Sequence, residues 1–339
     1  MSAPSPEVPA FAGTTFERAL DHLAPDGMIG LAVSGGPDSL ALLLLAARAR
    51  PGRVEAATVD HGLRPESASE AAEVAAICQD LGVPHFILPV QVGAGASVQA
   101  RAREARYLAL AGWARDRHLK AVATAHHLDD QAETLLMRLA RGSGLRGLAA
   151  MRPSRSLTEG VRLIRPLLGL RKDELVGVVE AAELRALDDP ANGDERHDRT
   201  RVRRLLEEMG WLSAERLARS AEALGQAEEA LRWSAQQLAG SRVRVQGGSV
   251  EVEAGDLPDE LGRRLLILGF ERFGAACPNG PDMDRALATL SAGATCTLSG
   301  VKLSGGPVWR LAAAPPRRGQ LADSKPVVSP ATSQLRKPS

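Results

Sequence analysis

From Met28 to about Thr124 the chain repeats one pattern: a short apolar run, a turn, and a longer segment with helical spacing. Such alternation narrows the choice of architecture, because parallel strands can be joined only by crossovers, and helical crossovers cover both faces of the sheet. Strands are expected at Ile29–Val33, Val54–Val59, His85–Val90 and Ala121–Ala125. Helices are expected to follow at Asp38–Ala49, Ala68–Leu81, Val98–Arg117 and Asp129–Arg141. Ser67 and Glu70 have capping-box spacing at the start of the second helix. The expected fold class is α/β, a doubly wound parallel sheet.

After Arg141 the texture changes to Gly- and Arg-rich sequence, then amphipathic Lys172–Ala182, then an Asp/Asn/Arg-rich stretch from Asp188 to Arg204 that reads as a substrate-facing edge. Leu217, Ala221, Leu224, Leu231 and Leu238 fall on one helical face and predict a long packed helix. Beyond it, Val243–Val252 alternates around Gly247-Gly248, Leu257–Phe273 and Asp282–Leu290 are helix-like, and Thr295–Leu303 and Val308–Leu311 are strand-like. The expected division is an N-terminal extension and helix over 1–27, a main domain over 28–212, a helical linker over 213–240 and a small α+β domain over 241–314. A Pro-, Ser- and Lys-rich tail over 315–339 is expected to be disordered.

Composition sets outer limits. A length of 339 residues accommodates two or three domains, and a formal net charge of +1 gives no global attraction to nucleic acid, so any basic surface must be local. Cys78, Cys277 and Cys296 are far apart and form no CxxC pair, which argues against a zinc knuckle, an iron–sulfur cluster or a redox dithiol. No apolar run approaches the roughly 20 residues needed to span a bilayer, and a cytoplasmic protein is expected.

The most informative segment is Ile29-Gly30-Leu31-Ala32-Val33-Ser34-Gly35-Gly36-Pro37-Asp38-Ser39, a strand entering a glycine turn that opens a helix. A helix N-terminus there presents backbone N–H groups to an anion. Gly35 and Gly36 let the backbone approach a phosphate, and the hydroxyls of Ser34 and Ser39 can donate to its oxygens. Asp38 beside phosphates calls for a cation, assigned here as Mg²⁺. The bare string would also serve as a strand-to-helix turn with Asp38 as a cap. It is not a Walker loop, since the Gly-Lys-Ser/Thr ending is missing, nor a dinucleotide fingerprint, since the third glycine is absent.

Through Ser34–Ser39 the chain resembles the PP-loop ATP pyrophosphatases, whose loop holds the leaving pyrophosphate of ATP while AMP is transferred. That resemblance implies an adenine nucleotide alpha hydrolase-like fold, ATP as the nucleotide, and adenylation rather than kinase chemistry. Three segments at expected strand ends narrow it: Val59-Asp60-His61-Gly62-Leu63-Arg64, Ala125-His126-His127-Leu128-Asp129-Asp130-Gln131-Ala132-Glu133-Thr134, and Arg141-Gly142-Ser143-Gly144-Leu145-Arg146-Gly147-Leu148. Together they resemble the tRNA(Ile)-lysidine synthetase family, which attaches lysine to the wobble cytidine of an isoleucine tRNA. Ala102–Tyr107, Arg165–Leu168 and Asp189–Asn192 followed by Arg199 and Arg203 extend the likeness to residues 28 to 205. Gln99, Ala191 and Thr200 depart from the family pattern.

The resemblance implies that the cytosine 2-carbonyl oxygen attacks the α-phosphate of ATP, after which the amine of free L-lysine attacks C2 and AMP leaves. It implies ATP contacts at Ser34, Gly35, Gly36, Pro37, Asp38, Ser39 and His61. A lysine ammonium with a pKa of ~10.4 must lose a proton before attacking. Asp130 and Glu133 stand three apart on one helix face and suit a seat for that ammonium, a role the family gives them too. Taken alone, Asp129, Asp130 and Glu133 also read as first-turn complements of the helix dipole, and with His126 and His127 as a metal site. His127 is a candidate proton relay. Arg103 and Arg106 lie one turn apart and could clamp the α-phosphate, as the family suggests. Arg138, Arg141 and Arg146, with Arg199, Arg201, Arg203 and Arg204, are candidates to track RNA phosphates, although Arg-rich solvated helix faces explain such runs equally often.

Partners implied are the anticodon stem-loop of an isoleucine tRNA, recognised with help from residues 241–314, together with ATP, Mg²⁺ and lysine. Monomer and homodimer are both open. With 3% aromatic residues, readout by stacking on many rings is not expected. The chemically parallel rival, tRNA cytidine thiolation, usually needs paired or clustered cysteines, and amidating ligases of small molecules have no need of the Arg-rich edge. A nucleotide-binding module without turnover would not need Asp38, Asp130 and Glu133 together.

Overall fold

A computed structural model describes residues 9–62, 66–91, 98–187 and 198–315. Leu63, Arg64, the Asp189–Asn192 segment, the tail from 316 and the side chain of Gln99 lie outside the described residues. The chain divides into two compact units, after Glu228.

The first unit runs α1 (Ala10–Leu23), β1 (Ile29–Ala32), α2 (Pro37–Ala49), β2 (Val54–Asp60), α3 (Ser67–Asp80), β3 (His85–Pro89), α4 (Val98–Asp116), β4 (Ala121–Ala123) and α5 (Leu128–Ala140). It continues with α6 (Leu145–Leu148), β5 (Ser154–Thr158), β6 (Val161–Ile164), α7 (Lys172–Ala181), α8 (Asp198–Glu208) and the start of α9 (Ala214–Arg242). The sheet order is β3-β2-β1-β4-β6-β5, parallel throughout except for the antiparallel edge strand β5. The alternation of the sequence therefore gives the expected strands and helices, to which the β5–β6 hairpin is added at one edge.

Both faces of this sheet are covered. On one side Ile29, Leu31, Val54 and Ala56 pack with α1, α2 and α7, and Leu40 through Ala46 on α2 are all buried. Each such leucine contributes about 1.5–3 kcal/mol, an upper bound because unfolded chains already bury some apolar surface. On the other side Ala32, Ala57 and Val122 meet Leu110, Trp113 and Ala114 of α4. A Cβ on Gly30 would stand 2.5 Å from the Trp113 ring, so the bare glycine is what lets the indole lie against β1.

The Ser67–Glu70 capping box is not formed: Ser67 is already helical, Glu66 precedes it in αR geometry, and no side chain caps the helix start. Instead the Ser69 hydroxyl donates to the Glu66 carbonyl at 2.8 Å.

The second unit begins within α9 and adds β7 (Val243–Gln246), β8 (Ser249–Val252), α10 (Asp259–Phe273), α11 (Gly280–Ser291), β9 (Thr295–Leu298), β10 (Val301–Ser304) and β11 (Trp309–Ala313). Its antiparallel sheet has the order β7-β8-β11-β10-β9 and packs against α10 and α11 around Val250, Leu265, Phe270, Met283, Leu303 and Trp309. The strand-like run Thr295–Leu303 is a hairpin rather than one strand, because Ser299 and Gly300 both take positive φ and reverse the chain. No helix among the described residues is long and apolar enough to cross a membrane.

Candidate active site

The order β2-β1-β4 decides where the site forms. Strands β1 and β4 are parallel neighbours, Leu31 beside Ala123, and the helices that follow them diverge. The loops leaving their carboxyl ends therefore face one crevice, the topological switch point of an open α/β sheet. One loop is Ser34–Pro37 and the other Thr124–His127. A cavity of about 360 Å³ lies there, lined by Ser34, Gly36, Pro37, Asp38, Ser39, Arg106, Thr124, His126, His127, Asp130, Arg199 and Arg203, among others.

The first loop is tightly tied. Gly36 is the N-cap of α2, extended at φ −69° and ψ 161°, and Pro37 occupies the first turn, where its missing N–H is no loss. The Ser39 hydroxyl donates to Gly36 O at 2.9 Å and accepts from Ser34 N at 3.1 Å, closing the loop on itself. Gly35 has φ +87°; a Cβ there would lie 2.3 Å from Leu187 Cδ1, and Leu187 N donates to Gly35 O at 2.9 Å. This is an anion cradle at a helix N-terminus. Asp38 Oδ1 is buried with no hydrogen-bond partner, while Oδ2 lies 3.6 Å from His127 Nε2.

The second loop brings in a cluster of charge. Asp130 accepts from the His127 backbone N–H at 3.1 Å, holding the start of α5. The His127 ring is buried and lies 3.4 Å from Asp129 and 3.7 Å from Asp130 as well as near Asp38. Burial alone would discharge it, yet the carboxylates of Asp129, Asp38 and Asp130 outweigh that cost and push its pKa up to about 10. Asp129 goes the other way: burial would raise it, but His127, the Lys172 backbone N–H at 2.9 Å and Arg171 bring it to about 2. His126 is neutral, its pKa lowered to about 3 by burial and by Arg165, Arg106, Arg199 and Arg103; its Nδ1 is 2.9 Å from Thr124 Oγ1. Two adjacent histidines thus carry opposite protonation states, because one faces carboxylates and the other guanidinium groups.

Glu133 is 1% exposed and accepts from Arg199 Nε at 2.7 Å and from Arg203 Nε at 2.9 Å. Arg199 also reaches Asp130 at 3.1 Å. The carboxylate pair is therefore already engaged by α8, and both Glu133 oxygens have cationic partners. Arg199 and Arg203, read from sequence as contacts for RNA phosphates, point into the cavity instead, drawn by a buried carboxylate that would be costly unpaired. Arg138 is likewise turned inward, donating to the carbonyls of Gly147 and Ala150 at 2.6 and 2.9 Å, so it fixes the turn after α5. Arg141 and Arg146 are exposed near that turn and do not line the cavity.

Arg106 lines the cavity wall; burial lowers its pKa, the Tyr107 phenol works against that, and Arg103 adds to it. Arg103 is exposed and stacks at 5.1 Å over the Tyr107 ring, outside the lining. His61 also stands outside the lining, its Nδ1 buried without a partner and its pKa lowered by burial and by Arg106.

The site also holds residues that sequence reasoning passed over. Lys172 opens α7 and lines the cavity, Leu187 seats on Gly35, and Arg171 bridges Asp129 at 3.7 Å and Glu215. Their partners lie tens of residues away, and no spacing along the chain signals them. His126 stood in a quoted motif, and its neighbour His127 drew the assignment.

The donor set fits a magnesium ion. A buried, unpartnered carboxylate oxygen on Asp38 beside an anion cradle is what such an ion needs when phosphate oxygens and waters complete its shell. Among the described residues no group of three His, Cys, Asp or Glu side chains forms a self-sufficient metal cage, so phosphates would have to share the ion.

Comparison with known proteins agrees with this geometry. The profile of the PP-loop domain matches residues 12–209, more than half of the chain. The chain is 46% identical over 312 residues to the tRNA(Ile)-lysidine synthase of Novosphingobium aromaticivorans, covering 91% of this chain and 95% of that protein. It is 46% identical over 297 residues to the tRNA(Ile)-lysidine synthase of Zymomonas mobilis, covering 86% and 90%. Among solved structures, the U34-tRNA thiolase of Methanococcus maripaludis superposes with a TM-score of 0.53 at 19% identity, covering 65% of this chain and 77% of that one, a likeness of fold. With the PP-loop profile matched over more than half of the chain and these relatives matched along nearly their whole length, the chain belongs to the tRNA(Ile)-lysidine synthase family of PP-loop, ATP-using ligases.

Proposed function

We propose that this chain joins free L-lysine to C2 of the wobble cytidine of an isoleucine tRNA with a CAU anticodon, through an O2-adenylated base, releasing pyrophosphate and AMP. The observation that carries this reading is that one cavity holds both the Ser34–Ser39 cradle and Asp130 of α5, with Arg199 and Arg203, the partners of buried Glu133, in its wall. A kinase-type site would need the phosphates presented outward; here the loop grips the part of ATP that must leave.

The β- and γ-phosphates seat on the amides of Gly35 to Ser39, with the Ser34 and Ser39 hydroxyls beside them. Arg106 faces the α-phosphate, where its desolvated charge stabilises the developing oxyanion. Asp38 would hold a Mg²⁺ ion that neutralises charge on the departing pyrophosphate. The cytosine O2 forms a bond to the α-phosphorus as the bond to the β-phosphate bridging oxygen breaks, and pyrophosphate leaves with the electron pair. The lysine amine then bonds to C2, the C2–O bond breaks, and AMP leaves.

In this reading Asp130 seats the lysine ammonium, and Glu133 joins it once Arg199 or Arg203 releases an oxygen. Asp130 stands in the cavity wall, where it can take the amine's proton as the C2–N bond forms. His127, already charged with a pKa of about 10, clamps Asp38, Asp129 and Asp130 together and gives up its proton only when added positive charge at those carboxylates relieves it. The module over 241–314 is assigned to tRNA recognition. Sulfur transfer is disfavoured, since Cys78 is buried on α3 while Cys277 and Cys296 belong to the other unit.

Labelled pyrophosphate exchange into ATP tests the order of steps. Exchange is expected with isoleucine tRNA present and lysine withheld. Exchange without tRNA, or ADP as the product, would contradict an adenylated base.

A further inference from the structure

In a chain with one Tyr, five Phe and four Trp, Trp113 and Trp309 are each 5% exposed, as core residues should be. Trp211 is 72% exposed, more than any other exposed large apolar side chain among the described residues. It stands in the turn between α8 and α9, where Leu212 N donates to Met209 O at 2.8 Å. Trp233, on α9, is 62% exposed as well, so it is the position of Trp211 rather than its exposure alone that sets it apart.

That turn is pinned to the site on both sides. Before it, Arg199 and Arg203 of α8 hold the buried Glu133. After it, Glu215 at the start of α9 pairs with Arg171, which in turn lies 3.7 Å from Asp129. Both anchors end on α5, so the segment presenting Trp211 is fixed relative to the carboxylates. Leu205 and Met209, one helical turn apart and 38% and 37% exposed, extend the apolar surface beside it.

The surroundings favour a polyanion. Arg201 and Arg204 are exposed on α8, where Arg204 also pairs with Glu208 at 3.1 Å. Helix α5 packs against both α8 and α6, and the stretch from Thr134 to Thr158 carries Arg138, Arg141, Arg146, Arg152 and Arg155 without one acidic residue. A flat π surface on an arginine-rich unit matches an unstacked nucleobase flanked by phosphates, and stacking of this kind tolerates any base.

We infer that Trp211 is a stacking platform for an unpaired nucleobase of the RNA substrate, holding the strand as its neighbour enters the cavity. This rests on the tRNA reading above and adds to it a residue that positions the RNA rather than one that meets the reacting atoms.

The test is direct binding of a CAU-anticodon isoleucine tRNA transcript to the full chain, with ATP affinity and lysidine formation measured alongside. Trp211→Ala is expected to raise the Kd for tRNA roughly tenfold or more, with KM for tRNA rising in step and ATP affinity unchanged. Trp211→Phe should retain most of the affinity and Trp211→Leu should not, which separates stacking from apolar filling. Phe11→Ala, removing a 65% exposed ring on α1, should change nothing. Tight tRNA binding by Trp211→Ala, or equal rescue by leucine and phenylalanine, would overturn the assignment. A dimer that falls to monomer in Trp211→Ala with tRNA affinity intact would give the ring to a second copy of the chain and overturn it as well. Wild-type chain that binds the transcript but makes no lysidine would instead count against the proposed reaction, leaving the Trp211 comparison to stand by itself.

Discussion

Gly35 carries a constraint that no other side chain could meet. Its φ of +87° lies in the left-handed region, and a methyl group there would stand 2.3 Å from Leu187 Cδ1 and 3.1 Å from Val74 Cγ2. Left-handed geometry costs an L-residue about 1–2 kcal/mol before any clash is counted. Gly35→Ala should therefore lower stability by at least about that amount and weaken ATP binding roughly tenfold, because the loop amides can no longer converge. Gly36→Ala should lose less stability, since Gly36 has ordinary extended geometry and open space at 4.0 Å from Ser34 Oγ. Differential scanning calorimetry with ATP titration checks both; equal losses would mean that the Leu187 contact is not what fixes this residue. The Ser34–Ser39 loop was legible because its glycines, hydroxyls and helix start lie within six consecutive residues, whereas the Leu187 contact that fixes Gly35 was not. Arg103 and Arg106 show the opposite: one turn apart and indistinguishable in sequence, they end up respectively outside the cavity and in its wall, a difference made by how α4 rolls against the sheet.

At the scale of elements, the first turn of α5 and the loop before it act as one electrostatic unit. His127 has its folded-state pKa raised to about 10 from 6.5. A raised pKa means that the charged ring stabilises the fold fully below about pH 6.5, and that this contribution is lost as pH rises through about 10. The metal-free protein should therefore lose Tm steadily between about pH 7 and 10.5, and His127→Asn, though less stable throughout, should show a flatter profile in that window. Parallel profiles for the two proteins would mean that the carboxylates do not hold the proton on His127. Asp129 gives the matching acid limb: its pKa of about 2 means stability present above 3.8 and lost as pH falls toward 2. Helices and central strands were readable from periodicity, since burial imposes a repeat. The β5–β6 hairpin was not, because the edge strand Ser154-Arg155-Ser156-Leu157-Thr158 is half solvated and carries little apolar alternation. Nor was the role of α8, whose arginines find their carboxylate 66 and 70 residues away in sequence.

The whole molecule has two compact units with separate cores. The candidate site lies within the first unit, and the second is built around Phe270, Met283 and Trp309. The sequence shows a change from βα alternation to hairpins after Arg242, whereas the compact units part after Glu228, inside the helix read as a linker over 213–240, because packing rather than period sets that boundary. No motif in the second unit combines charge with spacing, so the sequence marks no site there. The most direct measurement is mass spectrometry of nucleosides from isoleucine tRNA incubated with the protein, ATP, Mg²⁺ and lysine. The predicted result is a lysyl mass increment on the anticodon wobble cytidine, with one AMP formed per modified base; an unmodified cytidine despite bound ATP and tRNA would contradict it.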